Sequence, residues 1–134
     1  MRRLAGLLLG AGLLAVLLSG CGAEAGGPPE VRFRFSEFSP GLITARAGEA
    51  ITISLRNDDP IEHEWIIGPP DVHDRHRTGT EARHDEIPTE VTLAPFSTRL
   101  TTVRFDQPGD YAFVCHLPGH EAYGMRGVLR VLPS

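Results

Sequence analysis

A short segment near the C-terminus gathers three kinds of soft or borderline metal ligand. In Cys115-His116-Leu117-Pro118-Gly119-His120-Glu121-Ala122-Tyr123-Gly124-Met125, a thiol, two imidazoles and a thioether fall within eleven residues. The candidate ligands Cys115, His120 and Met125 are spaced C-x4-H-x4-M. Five extended residues span roughly 17 Å, whereas the ligands of one ion lie about 2–3 Å from it. The chain must therefore double back twice, and Pro118-Gly119 and Tyr123-Gly124 sit where those turns are needed. A fourth ligand from a distant segment would tie two parts of the fold together. His63 is the best placed: it follows the turn-rich Asn57-Asp58-Asp59-Pro60 and precedes the apolar Trp65-Ile66-Ile67. Thiolate, imidazole and thioether are soft or borderline donors and suit a transition metal rather than a hard cation. Zinc would accept Cys and His but gains little from Met.

A lone buried Cys is most often structural and a lone Met most often core. Joint occurrence changes those odds, because the only Cys and the only Met beyond residue 21 flank a His at this spacing. His116 alternates away from Cys115 along the strand, so its bland reading wins: a surface or second-face imidazole. Trp65 is expected in the core, and Leu117 and Pro118 in an apolar rim around His120.

The elements that must position these ligands read as strands. From Val31 onward a period of two dominates. Val31, Phe33 and Phe35 alternate with Arg32, Arg34 and Ser36, and Ile51, Ile53 and Leu55 with Thr52, Ser54 and Arg56. Further strands are expected near 100–105, over Tyr111 to His116 with Tyr111, Phe113 and Cys115 on one face, and over 127–132. Six or seven short strands separated by Gly, Pro and Asn-Asp turns indicate an all-β antiparallel Greek-key sandwich. One long polar loop, residues 68–88, breaks the rhythm and is expected to be irregular but for a helical turn. Its His73, His76 and His84 form a second candidate metal site, set against the default of a solvated, charge-rich loop. His73 and His76, three apart, could share a helical face.

The chain opens Met1-Arg2-Arg3 and continues with an apolar run over 4–18 that is too short to favour a spanning helix. The run ends in Leu18-Ser19-Gly20-Cys21, which resembles the lipobox of bacterial lipoproteins; that resemblance implies a signal peptide over 1–20 and lipidation of Cys21. Residues 21–30 then read as a flexible tether, and residues 31–134 as one domain. Of 13 basic residues, all Arg, two precede Cys21, leaving 11 against 17 acidic and a formal charge of −6. That balance argues against nucleic acid as a partner. With Cys21 claimed by lipid, Cys115 is a lone thiol in a disulfide-permissive setting, and is inert, paired between chains, or bound to something.

Taken together, AGEAITISLRN, the His63-Glu64-Trp65 segment, PGDYAFVCHLPGH and GMRGVLRV resemble the cupredoxins, the small blue copper proteins. The likeness is to members with four-residue spacers on both sides of the loop His, such as auracyanins and rusticyanin. The resemblance implies one copper ion with His63, Cys115 and His120 as strong equatorial ligands and Met125 as the weak axial one. It also implies a non-enzymatic electron carrier whose partner is a redox protein: a cytochrome, an oxidase or another carrier. Two positions depart from the pattern. Glu64 stands where many cupredoxins have Asn, which puts the reduction potential in doubt. His116 follows the Cys, but Val114 precedes it and no H-x-H pair occurs, so a multicopper oxidase site is not indicated. The chain carries no acid/base pair, nucleophile arrangement or small-molecule substrate motif. The expectation is therefore a membrane-tethered, extracytoplasmic electron carrier. The alternative is a copper-binding, delivery or resistance lipoprotein that hands copper to an acceptor and uses His-rich residues 71–84 as a capture surface. A structural sandwich without metal is the third reading.

Overall fold

The computed structural model describes residues 26–79 and 87–134. The expectations for the signal peptide, for Cys21 with the start of the tether, and for His84 therefore lie outside the described residues. Among the described residues, no helix is long and apolar enough to cross a membrane.

The described residues form nine strands and one helix in the order β1 (Glu30–Arg34), β2 (Glu37–Ser39), β3 (Leu42–Arg46), β4 (Ala50–Asn57), β5 (His63–Gly68), α1 (Pro70–Thr78), β6 (Glu90–Leu93), β7 (Thr98–Arg104), β8 (Gly109–Val114) and β9 (Arg126–Leu132). They form two sheets, β2-β1-β4-β7 and β3-β9-β8-β5-β6, so the sandwich read from the alternation is the observed architecture. Most pairings are antiparallel, but β1 runs parallel to β4 and β3 parallel to β9. The second of these pairs arises where the early chain passes from one sheet to the other at Ser39-Pro40-Gly41 and lays β3 along the last strand.

The alternation decides what lies between the sheets. Val31, Phe33, Ile53, Leu55, Trp65, Ile67, Phe113, Leu129 and Val131 are all buried in the core. Burying side chains of this kind stabilises the fold by roughly 1.5–3 kcal/mol each before conformational entropy is counted. The inward face of β4 runs Ile53, Leu55, Asn57, and that of β5 runs His63, Trp65, Ile67. Apolar pattern thus carries two polar residues, Asn57 and His63, to one end of the core. In the same way β8 brings Phe113 inward and leads directly into buried Cys115.

Two expectations about this pattern fail locally. Phe35 does not continue the β1 face but is 78 % exposed, because the strand ends at Arg34 in a two-residue hairpin turn. The strand expected near 100–105 is present as β7, with Thr101 and Val103 inward, Leu100 toward solvent, and the Thr101 hydroxyl donating to the Pro88 carbonyl at 2.6 Å. Most consequential, the polar loop begins as a full nine-residue helix. Pro69 and Pro70 start α1, Asp71 complements the dipole in its first turn, and Gly79 closes it in the left-handed conformation. A weak apolar stripe hid it from the sequence: Val72 and His73 are the residues that seat the helix on the outer face of β5 and β8.

Close packing between the sheets makes small residues obligatory at close approaches. Gly127 in β9 lies against the Phe113 ring and the Gly41 carbonyl, and an added Cβ would overlap both. Gly127→Ala is expected to destabilise the domain by about 1–3 kcal/mol, the usual range for overpacking. Urea unfolding followed by Trp65 fluorescence measures it, and an unchanged midpoint would mean that Phe113 can move aside.

Candidate metal centre

The centre is assembled at the end of the core where β5 begins and β8 ends. Its upstream half starts with Asn57, whose side-chain amide donates to the carbonyls of Ile61 (2.8 Å) and Ala94 (3.0 Å) and pins the two loops that frame the site. The Asn57 Oδ1 accepts the backbone N–H of Asp59 at 2.9 Å, which fixes the next residue in turn. The Asp59 carboxylate accepts the N–H groups of Phe35 (2.7 Å) and Ser36 (2.9 Å). Both of those residues have φ of 56°, the left-handed region that non-glycine residues enter at a cost. Two charge-assisted hydrogen bonds offset that cost and lock the β1–β2 hairpin over the site.

The same carboxylate faces His63 Nε2 at 2.9 Å. A carboxylate only accepts, so the neutral imidazole carries its proton on Nε2 and presents a bare Nδ1 to the interior of the site. Burial pushes the Asp59 carboxyl upward, but the Ser36 and Phe35 N–H groups and His63 outweigh it and hold the group below the usual carboxylate range. Asp59 and Asn57 are the functional residues that sequence reasoning passed over. The available signal was the i,i+4 spacing of Asp59 and His63 within a turn.

The downstream half is a loop of tight turns. His120 N–H donates to the Leu117 carbonyl, Gly124 N–H to Glu121, and Met125 N–H back to His120. Gly119 and Gly124 have φ of 86° and 106°, so both anticipated turns form at the glycines that permit them. Cys115 N–H then donates to the Met125 carbonyl at 3.1 Å, closing the loop and placing Met125, fully buried, beside the end of β8.

The two halves meet. His63 Nδ1 lies 3.1 Å from His120 Nδ1, and Cys115 Sγ lies 3.4 Å from the same His120 nitrogen. The three donor atoms all fall within 4.8 Å of one another. Two bonds of about 2.0 Å meeting at about 100° separate their donors by about 3.1 Å, so the nitrogen pair has the span of two ligands on one ion. His63 and Cys115 are fully buried, whereas His120 is partly exposed. Burial pushes the Cys115 thiol up to about 11, opposed by the N–H of Glu64, which donates to Sγ at 3.3 Å. That bond comes from the backbone, so the Glu at this position does not remove it. Burial, followed by the neighbouring His63, lowers His120 and keeps it in the neutral, ligating form. Two imidazoles, a shielded sulfur and an adjacent thioether residue suit copper better than a hard cation.

The loop histidines divide differently from expectation. His73 and His76 lie on α1, and their neighbour is His116 on the outer face of β8. His116 does alternate away from Cys115, but α1 covers that face, leaving its side chain only 4 % exposed. The surface reading of His116 is therefore corrected: it is a second-face imidazole, buried under a helix the sequence pattern did not reveal.

Comparison with known proteins is consistent with this geometry. The family model described as a cupredoxin-like domain matches residues 8–131. The copper-resistant cuproprotein CopI of Rubrivivax gelatinosus is 31 % identical over 93 residues, covering 67 % of this chain and 56 % of that protein. Its namesake in Pseudomonas aeruginosa is 25 % identical over 129 residues, covering 72 % of this chain and 71 % of its own. The chain thus spans little more than half the length of the first of these relatives. Among solved structures, dithionite-reduced auracyanin of Roseiflexus castenholzii superposes with a TM-score of 0.65 over 81 % of this chain and 99 % of its own, at 24 % identity. Auracyanin B superposes with a TM-score of 0.62 at 25 % identity, covering 78 % and 87 % of the two chains.

The polar brace makes its own prediction. Asp59→Ala removes the acceptor that orients His63 and the one that holds the Phe35-Ser36 turn, so copper affinity is expected to fall about 10–100-fold. Competition with a calibrated chelator measures this, and an affinity within twofold of the parent would show that Asp59 does not orient the ligand.

Proposed function

The chain belongs to the cupredoxin-like family, and we propose that within it this protein carries single electrons between redox partners outside the cytoplasmic membrane. Copper, when bound, supplies the one-electron chemistry. The protein's part is to hold His63 Nδ1, Cys115 Sγ and His120 Nδ1 as the strong donors and Met125 as the weak one. The observation that carries the reading is the convergence of three donors, from two segments far apart in sequence, within 4.8 Å. They stand on strand ends and on a loop closed by its own hydrogen bonds, so their positions need little adjustment between oxidation states, which keeps reorganisation small.

Burial of Cys115 and His63 excludes water, and the partly exposed His120 offers the electron its way out. Half-buried Leu117 and exposed Pro118 precede His120, and exposed Phe35 and Phe96 stand on the turns held by Asp59. An apolar rim of this kind fits a protein partner such as a cytochrome, an oxidase or another carrier. The leader supports tethering: its charged start, short apolar run and Cys21 match a lipoprotein precursor, which would keep the domain close to the membrane surface. The acidic balance of the chain gives nucleic acid no role, and the reading assigns no catalysis and no small-molecule substrate.

A second reading, copper capture and delivery to an acceptor, is favoured by the two relatives named as copper-resistant cuproproteins. Protein-film voltammetry with stopped-flow mixing against a reduced cytochrome separates the two. The carrier reading expects a reversible one-electron wave and electron exchange faster than copper loss. Sluggish, irreversible response with rapid copper transfer to an apo-acceptor would instead establish delivery.

A further inference from the structure

The pair His73 and His116 repeats, on the other face of β8, the arrangement seen at the first centre. His73 is buried on the sheet side of α1, and its Nε2 lies 3.2 Å from the Ala112 carbonyl. A carbonyl only accepts, so the proton sits on Nε2 and Nδ1 is bare. That Nδ1 lies 3.0 Å from His116 Nε2. On its far side, His116 Nδ1 faces Glu121 Oε2 at 3.7 Å.

Two proton arrangements account for the 3.0 Å approach. In one, His116 Nε2–H donates to His73, which turns the bare Nδ1 of His116 toward a carboxylate. In the other, the His116 proton sits on Nδ1 and points at Glu121, the usual outer partner of a metal-bound imidazole. Both near nitrogens are then bare, and a cation shared between them would turn their repulsion into coordination. The second arrangement turns both outer N–H groups toward an oxygen, the Ala112 carbonyl at 3.2 Å and the Glu121 carboxylate at 3.7 Å. The separation also matches the first centre: 3.0 Å here and 3.1 Å between His63 and His120.

From this geometry we infer that His73 Nδ1 and His116 Nε2 form a second binding site, for a borderline divalent cation such as Zn(II) or Cu(II). Imidazole nitrogen is the donor those ions share. Access is built in. A cavity of about 490 Å³ opens beside His116 and is lined by Glu121, Arg77 and Arg126, and one of about 220 Å³ opens beside His73. Waters entering from the larger cavity can complete the coordination. Arg77 opposes the ion's charge, but its guanidinium is already committed to Glu121 at 2.7 and 2.9 Å and to Asp74 at 3.0 Å. His76 lies nearly flat on His116, with ring centroids 5.4 Å apart; its Nδ1 donates to the Val72 carbonyl and its Nε2 faces Glu90 Oε2 at 3.7 Å, so it walls the site rather than adding a ligand.

The inference does not depend on what occupies the first centre. The test uses the full chain, ¹⁵N-labelled and loaded with Cu(I), which leaves the histidine resonances sharp, and titrates it with Zn(II). At one equivalent His73 Nδ1 and His116 Nε2 are expected to shift together while the His63 and His120 nitrogens stay in place. Shifts confined to other histidines, or none after several equivalents, would overturn the site. In parallel calorimetry, His116→Gln is expected to lose one Zn(II) equivalent relative to the parent. Its thiolate-to-copper absorption after oxidation reports whether the fold and first centre are intact. Retention of that equivalent would equally contradict the assignment.

Discussion

The interaction on which the arrangement depends is the hydrogen bond between the Asp59 carboxylate and His63 Nε2, 2.9 Å long and buried. It sets the tautomer of the upstream imidazole, and so decides which nitrogen faces His120 and Cys115. The same carboxylate holds the Phe35-Ser36 turn in a conformation those residues would not adopt alone. Asn57 extends the brace to the loops at Ile61 and Ala94. A network of this kind is stiff only if every member is satisfied, and here each acceptor has its donor. The ligand geometry therefore belongs to the scaffold rather than to whatever the scaffold binds.

β8 shows how one strand can serve two chemistries. Its alternation sends Cys115 into the core and His116 to the opposite face. The inward residue gains shielding from water and the N–H of Glu64; the outward one gains a helix overhead and a histidine facing it. The two groups are covalent neighbours but inhabit separate environments on opposite sides of one sheet. Copper chemistry in the core and cation capture beneath α1 can thus coexist without sharing a ligand.

Much of this was legible in the sequence, for identifiable reasons. Period-two alternation locates the inward faces of β1, β4, β5 and β8, because one buried face leaves little freedom of register. The C-x4-H-x4-M spacing, with glycines at both turns, marks the loop before any coordinate is known. What escaped was of another kind. The helix α1 has strong boundary signals in Pro69-Pro70-Asp71 and Gly79 but little apolar surface, and its seat is a histidine and a valine. Once the helix is missed, the outer face of β8 reads as solvent and His116 as a surface residue. Asp59 was lost among the polar residues of a turn, since hydropathy does not separate a solvated carboxylate from one that orients a ligand.

The central claim is that His63, Cys115, His120 and Met125 converge on a single copper ion. Optical and electron paramagnetic resonance spectra of the Cu(II)-loaded protein test it most directly. The account predicts an intense thiolate-to-copper band with a narrow copper hyperfine splitting, both abolished in Cys115→Ser. A weak ligand-field spectrum, with Cys115 still reacting as a free thiol, would contradict it.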